Sequence, residues 1–456
     1  MKRLFLLLFA LLPMLVSAQG VTPFRYDTVQ KFSDGTAIVV HNGKYGLIKM
    51  GKEIVPPEYK EIKRITDDKY LLTSNGLSIA DSKGNIVHNV MIYTSSDGKI
   101  VEPRYSDCFD ANIVLNAYYG NIGIMAFDKP ITKITNGAFM YCDTLTDITI
   151  PESVTTVAGN IFKGCTSLPV IDGFRYAGTY LVERVDKTLK SYTIKSGTRF
   201  VGDNALDFSR DDNNRLNMSW ENRSLTAPDT IVFVGEGNNL CCIVGLNIIV
   251  TDLKKHCENP NPLIGYAVGD GDYSPVQLFI DGLKPSKLTL PNGVKKISDY
   301  AFAGCTHIES IIIPDSVTEI ERYAFHYSGL TSVIIPNSIT KLESNLFWES
   351  NLTNILIPNS VMEIGEETFC LSAVGRVTIG KGIKKIRRSA FHGCYGLETV
   401  YCKAITPPIL EEVHGSLPFD DNAPNRKIYV PRKSVAAYQR AAGWSRYADS
   451  IVGYDC

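Results

Sequence analysis

Eleven cysteines, seven histidines and 48 acidic residues are the side chains from which this 456-residue chain could build a reactive centre. Cys142, Cys165, Cys305 and Cys394 each stand three residues after a phenylalanine, and in other copies of that slot the residue is Ser328, Ser350 or Ser372. A nucleophilic thiol depends on a lowered pKa and an adjacent base, which serine would not reproduce. Exchange of Cys for Ser fits a small, half-buried side chain instead. Cys241, Cys242 and Cys257 cluster, yet no CxxC and no histidine at zinc-ligand spacing accompany them, so a metal site is not expected. Asp270 and Asp272 in "GDGDYS" lack the twelve-residue spacing of a calcium loop. "GEGNNL" from Gly235 lacks the third glycine of a dinucleotide fingerprint. His41, His88, His256, His307, His326, His392 and His414 are scattered. His326 and His392 occupy a slot that elsewhere holds Met140, Lys163, Ala303, Trp348 or Cys370, which reads as a tolerant, partly exposed position. No GxSxG, HExxH or P-loop is found. The sequence therefore predicts no catalytic residue, no metal ligand and no cofactor.

The phenylalanines that precede those cysteines carry the stronger signal. Phe139, Phe162, Phe302, Phe325, Phe347, Phe369 and Phe391 each follow an aliphatic residue by five positions, namely Ile134, Val157, Ile297, Ile320, Leu342, Ile364 and Ile386. Pro291, Pro314, Pro336 and Pro358 lie 23, 22 and 22 residues apart, with 22 more to Gly380. A fixed period of this length means stacked coils, a solenoid. In the copy from Leu330, "LTSVIIP" is β-branched and reads as a short strand. Pro336 ends it, having no ladder donor. "NSITKL" gives a second extended piece, and "ESNLFWES" a tight turn or short helix that swings Phe347 inward. Leu330, Val333, Ile335, Ile339, Leu342 and Phe347 should face the core. One coil cannot bury enough alone and needs neighbours above and below. Cys142 and Cys165 fall in adjacent coils, about 4.8 Å apart by strand spacing, within reach of a disulfide. Eleven cysteines cannot all pair internally.

The unit "ISDYAFAGCTHIESIIIPDSVTEI", residues 297–320, resembles the BspA-like leucine-rich repeats of exported proteins from anaerobic gut and oral bacteria. The resemblance is strong over residues 285–403 and returns at 131–168, and residues 180–206 look like a degraded copy with Leu206 in the phenylalanine slot. It implies a β-rich solenoid of parallel short strands and short helical turns. It further implies a surface protein, some relatives being adhesins for host matrix or plasma proteins or for other microbes. Ahead of the repeats, "NGKYGLIKMGKEIVPPEYKEI" resembles a WG-type repeat, with Tyr45-Gly46 where Trp-Gly is usual, and weaker echoes follow in "NGLSIADSKGNIV" and "DGKIVEPRY". These predict antiparallel hairpins.

The chain opens on "MKRLFLLLFALLPMLVSAQG". Two basic residues, an apolar run and small residues before Gln19 read as a secretory signal peptide. No later apolar stretch approaches 18 residues, so no transmembrane segment is expected in the mature chain. The organisation expected is a signal peptide at 1–18, a WG-like β module at 19–108, and a first repeat block at 109–206. Degraded coils or an insertion at 207–284 follow, with a long loop at about 210–224. A second repeat block at 285–406 and a helical cap at 407–456 complete it. In the cap, Ser434 should N-cap a helix that points Val435, Tyr438 and Ala442 inward, and Trp444 should cover the last coil.

Charge is balanced, with 47 Lys and Arg against 48 Asp and Glu, which disfavours nucleic acid as a partner. Strand alternation instead turns one column outward: Thr149, Thr289, Ile312, Ile334, Leu356, Thr378 and Tyr401. Ile312, Ile334 and Leu356 make an apolar stripe on three consecutive coils, with polar or charged neighbours including Arg376. An apolar strip with a polar rim suits protein binding, so Ile312, Ile334, Leu356, Arg376 and Tyr401 are the expected partner-binding residues. A second patch, Lys381, Lys384, Lys385, Arg387 and Arg388, could meet an acidic surface. The leading expectation is an exported, non-catalytic adhesion or protein-binding module, at the cell surface, secreted or periplasmic. Two other readings stay open: an envelope scaffold joining bacterial proteins, and an enzyme with its site in 207–284.

Overall fold

The structure is a computed structural model that describes residues 26–74, 77–135, 137–208, 223–238, 240, 243–268 and 274–455. The signal peptide read at 1–18, the loop at 210–224 up to residue 222, Cys241, Cys242 and the Asp270–Asp272 pair lie outside the described residues. The chain forms two compact units, residues 1–170 with 175–182, and residues 171–174 with 183–456.

The first unit begins with antiparallel meanders, as the hairpin reading predicts for its first two segments; the third, residues 97–105, forms turns and irregular chain and no strand. Thr28–Lys31, Thr36–His41, Lys44–Lys49 and Lys52–Tyr59 form one sheet, and Glu61–Arg64, Lys69–Thr73, Leu77–Asp81 and Ile86–His88 another. Asn42 and Gly43 both have positive φ, 51° and 72°, the two-residue turn whose twist matches a hairpin. The glycine of the Tyr45-Gly46 pair is explained by contact. A Cβ at Gly46 would lie 2.8 Å from Pro57 N and Val55 O, so only glycine lets the strands approach. Farther along this unit the coils begin. Lys133–Ile134 pairs in parallel with Thr156–Val157, and Phe139 stacks on Phe162 at 5.4 Å.

In the second unit the coils from Lys287 onward repeat one plan. Strands Lys287–Thr289, Ser310–Ile312 and Ser332–Ile334 form one parallel ladder. Asn354–Ile357, Arg376–Ile379, Thr399–Cys402, Lys427–Pro431 and Ile451–Tyr454 form the next. After each proline a tight turn closes, as in Ile339 N–H to Pro336 O at 3.1 Å and Val361 N–H to Pro358 O at 3.2 Å. The aliphatic slot then forms a second, two-residue parallel strand, seen in Lys341–Leu342, Glu363–Ile364, Lys385–Ile386 and Ile409–Leu410. The phenylalanine segment follows as turns, with Asn345 and Glu349 in the left-handed region. Leu330, Val333, Ile335, Ile339, Leu342 and Phe347 are all buried.

The rings of Phe302, Phe325, Phe347, Phe369, Phe391 and Phe419 stack with centroids 5.0–5.6 Å apart and planes within 9° of parallel. His256 stands edge-on to Phe302 at 5.7 Å, at one end of this column. At the other end Trp444 lies 5.8 Å from Phe419, its indole N–H donating to Pro408 O at 2.7 Å. Phe419 escapes the five-residue rule, standing nine after Leu410. The four extra residues form a tight turn, Val413 to Ser416, with His414 and Gly415 at φ 52° and 84°.

Within residues 223–280, Arg223–Pro228, Ile243–Val250 and Val276–Ile280 continue the parallel ladder from Ser191–Thr193, and Phe233–Val234 pairs in parallel with Phe200–Val201. Two short helices, Leu253–Glu258 and Leu263–Val268, lie between Ile243–Val250 and Val276–Ile280. The cap differs from expectation in two details. Helix Val435–Arg440 buries Tyr438, but Ala442 is exposed, because the helix ends at Arg440 and the chain turns away. Ser434 sits at the helix start as the last, buried residue of the 3-10 turn Arg432–Ser434, and its side chain makes no capping bond. The strand Ile451–Tyr454, not foreseen, extends the parallel ladder beyond Lys427–Pro431.

Two outcomes test this packing. Replacing Phe369, mid-column, by alanine should cost about 3–5 kcal/mol in chemical denaturation, the loss typical of a buried phenylalanine. Complete burial holds the His256 ring neutral, lowering its pKa from 6.5 to about 4, while its Nε2–H donates to Ala301 O at 2.8 Å. A depressed histidine stabilises the fold fully above its unfolded pKa and loses that contribution as pH falls toward the folded value. Acidification from about pH 6.5 to about 4 should therefore remove on the order of 3 kcal/mol through this group, and His256→Gln should flatten that part of the urea-melt pH profile.

Candidate binding surface

Strand alternation sorts each coil's residues into two populations. In Ser332–Ile334 and Asn354–Ile357 the burial pattern strictly alternates, so Val333, Ile355 and Ile357 enter the core while Ile334 and Leu356 face solvent. Ile312 and Leu356 are 61% exposed and Ile334 79%, unusual for large aliphatic side chains in a β ladder. Register places Thr289 beside Ile312 and Ile312 beside Ile334, and farther on Leu356 beside Thr378 and Thr378 beside Tyr401. At about 4.8 Å per strand, Ile312, Ile334 and Leu356 span roughly 10 Å. Thr149 belongs to the first unit, where its hydroxyl bonds to the backbone of Ile92.

The column continues past the residues the sequence singled out. Tyr401 registers with Tyr429, and the two half-buried rings stack at 4.8 Å and 15°. Tyr454 meets Tyr401 edge-on at 5.4 Å. The Arg376 guanidinium lies 5.3 Å from the Tyr401 ring centre. Exposed Arg376 and Lys427 flank the tyrosines in the next outward row, joined through Thr399. The sequence missed Tyr429 because its strand, "KIYVP", follows a longer interval than 22 residues. The strand-proline phrase itself was the signal.

The basic patch at Lys381–Arg388 is not a free cationic surface. Lys385 pairs with Glu411 at 2.7 Å and Arg387 with Glu363 at 2.7 Å, while Arg388 pairs with Glu366. The acids come from neighbouring coils, because the second ladder aligns one coil's cation with another coil's carboxylate. Lys381 and Lys384 stay exposed.

The cysteine slot is structural. Cys165 and Cys394 donate their thiols to the carbonyls of Phe139 and Phe369 in the preceding coils, at 2.9 and 3.0 Å. The eight described cysteines are unpaired, so the Cys142–Cys165 bond within reach is not formed. Burial pushes the thiols of Cys165, Cys257 and Cys370 up to about 12 and that of Cys394 to about 11. His326 is also buried, contrary to the tolerant-site reading. Its ring stacks on Trp348 at 4.8 Å and bonds that residue's carbonyl, and burial lowers its pKa. Among the described residues no group of three or more His, Cys, Asp or Glu could hold a metal ion, and no helix is long and apolar enough to cross a membrane.

The fold and its exposed face define a leucine-rich-repeat solenoid. Residues 112–218 and 277–398, together half of the chain, match the model of the BspA type leucine rich repeat region in six copies, and the chain belongs to that family. Residues 21–45 and 49–77 match the WG containing repeat. Among solved structures, a leucine rich cell surface protein of Faecalibacterium prausnitzii is similar at 18% identity. That match covers 72% of this chain and 93% of the other, with a TM-score of 0.32. The pneumococcal vaccine antigen PcpA is similar at 14% identity over 71% and 76%, with a TM-score of 0.34. A leucine-rich repeat protein of Bacteroides ovatus is similar at 17% over 86% and 82%, with a TM-score of 0.28. No curated protein matches the chain.

The thiol chemistry gives a direct check. Limited alkylation of the native protein, read by peptide mass spectrometry, should mark half-buried Cys142 well before Cys165, Cys257, Cys370 or Cys394. Labelling of Cys394 at the rate of Cys142 would contradict the packing described.

Proposed function

We propose that this protein is exported and serves as a non-catalytic binding module whose strand face takes a protein partner. One observation carries the reading: three large aliphatic side chains, Ile312, Ile334 and Leu356, stand exposed on consecutive coils, between residues committed to the core. Core packing does not require them, since their inward neighbours already fill the interior. An apolar strip with Ser332, Asn354 and Arg376 beside it has the composition of a protein contact, with an apolar centre and a polar rim. Export is supported by the basic and apolar leader at residues 1–18. A reading without thiol catalysis is supported by Cys165, Cys257, Cys305, Cys370, Cys394 and Cys402, whose thiols burial keeps protonated.

The experiment pairs binding with stability. Ile334→Asp with Leu356→Asp should leave the melting temperature within about 2 °C of wild type, because both side chains already face water. The same variant should lose most capture of envelope or host-matrix proteins by immobilised residues 19–456. A strongly lowered melting temperature would assign the column to the core, and undiminished capture would place binding elsewhere.

A further inference from the structure

Several cations of the second unit are held by carboxylates at the corner strands and the carboxyl end: Lys296 by Glu321, Lys385 by Glu411, Arg387 by Glu363, Arg388 by Glu366 and Arg432 by Asp455, while Lys381, Lys384 and Lys433 are exposed with no ion-pair partner among the described residues. On the strand face Lys287, on the first strand of its ladder, is exposed with no ion-pair partner among the described residues, and the same holds for Arg376, Lys403 and Lys427 toward the carboxyl-terminal coils. Register and alternation set the latter three around the Tyr401–Tyr429 stack. Arg376 and Lys427 occupy one outward row, the tyrosines the next, and Lys403, two residues past Tyr401, the row beyond. One exposed acid, Glu398, adjoins the cluster, and Asp455 is held by Arg432. The face thus ends in a cationic, aromatic platform that begins one coil beyond Leu356 and its apolar stripe.

Resting on the binding role proposed above, we infer that the strand face takes an extended protein segment whose aliphatic residues lie on Ile312, Ile334 and Leu356 and whose acidic residues lie among Arg376, Lys403 and Lys427. The two halves of the face argue for a polypeptide. An acidic polysaccharide would satisfy the cations but has no aliphatic groups for the stripe. Charge complementarity sets the orientation, the acids lying toward the carboxyl-terminal coils. Spacing follows from geometry. Ile334 and Tyr401 are three coils apart, about 14 Å at ~4.8 Å per coil. An extended chain covers that in about four residues at ~3.3–3.6 Å each. The segment therefore carries its aliphatic and acidic residues about four positions apart.

The test uses synthetic peptides and the whole exported chain, residues 19–456. The probe has an aliphatic pair, a spacer of about three polar residues and a run of aspartates, which sets the aliphatic and acidic residues about four positions apart; controls replace the aspartates by lysines or shorten the spacer. Fluorescence anisotropy at low salt should show binding of the acidic probe that weakens about tenfold in Arg376→Glu with Lys427→Glu and falls as salt rises. The lysine control should bind at least tenfold more weakly than the acidic probe. Equal binding of both peptides, or an unchanged affinity in the charge-reversed protein, would overturn the inference. Polygalacturonate bound as tightly as the peptide, with no effect of Ile334→Asp, would overturn it in favour of a glycan. Capture of protein partners lost in the Ile334→Asp, Leu356→Asp variant but kept in the charge-reversed one would preserve the binding role while sinking the acidic segment. Loss in neither would sink the role itself.

Discussion

Ring-on-ring contact between phenylalanines fixes the second unit from Phe302 to Phe419. Each coil is too small to enclose a core, so it delivers one ring to a common column and gains the flat faces of the rings above and below. With planes within 9° of parallel, a neighbour's ring leaves almost no choice of height or rotation. The parallel strands follow from that register, since coils stacked ring on ring bring their extended segments to hydrogen-bonding distance. The ends are the weak points of any such array, and here they are met by different chemistry. A neutral histidine stands at the first ring and an indole anchored to Pro408 at the last.

Once the interior is fixed, the outward positions are released from packing, and their chemistry varies from coil to coil. Ile312, Ile334 and Leu356 occupy the same column as Thr289 and Thr378 without altering the residues beneath. Charge is apportioned by face in the same way. Ladder geometry brings cation and carboxylate together at the corner, where they hold adjacent coils, and leaves the strand-face cations to solvent. The same basic side chain thus supports the fold at one edge and is left available to a ligand at another.

Much of this was legible in the sequence because a repeat writes its own alignment. The phenylalanine and aliphatic slots, the strand ended by proline and the outward column could all be read from periodicity. What failed was whatever depended on contact between coils. His326 looked tolerant because its slot varies, yet it is clamped against Trp348 of the next coil. Lys385, Arg387 and Arg388 looked like a patch because their acids sit more than twenty residues away. Phe419 and Tyr429 were hidden by intervals longer than the period. Ala442 was assigned inward by helical spacing in a helix that stops short of it. Ser434, a good capping residue by type, lies buried where its side chain does not reach the helix amides.

The small turn at Val413–Ser416 shows what the array counts. Four surplus residues enter between Leu410 and Phe419, yet Leu410 still pairs with Ile386 and Phe419 still stacks on Phe391. The addition leaves through a two-residue loop at the corner. Registration is thus kept by the side chains that touch and not by the number of residues between them. Corners of such a chain are places where sequence can be gained or lost in a single genetic event, leaving the strand face, and whatever docks there, undisturbed.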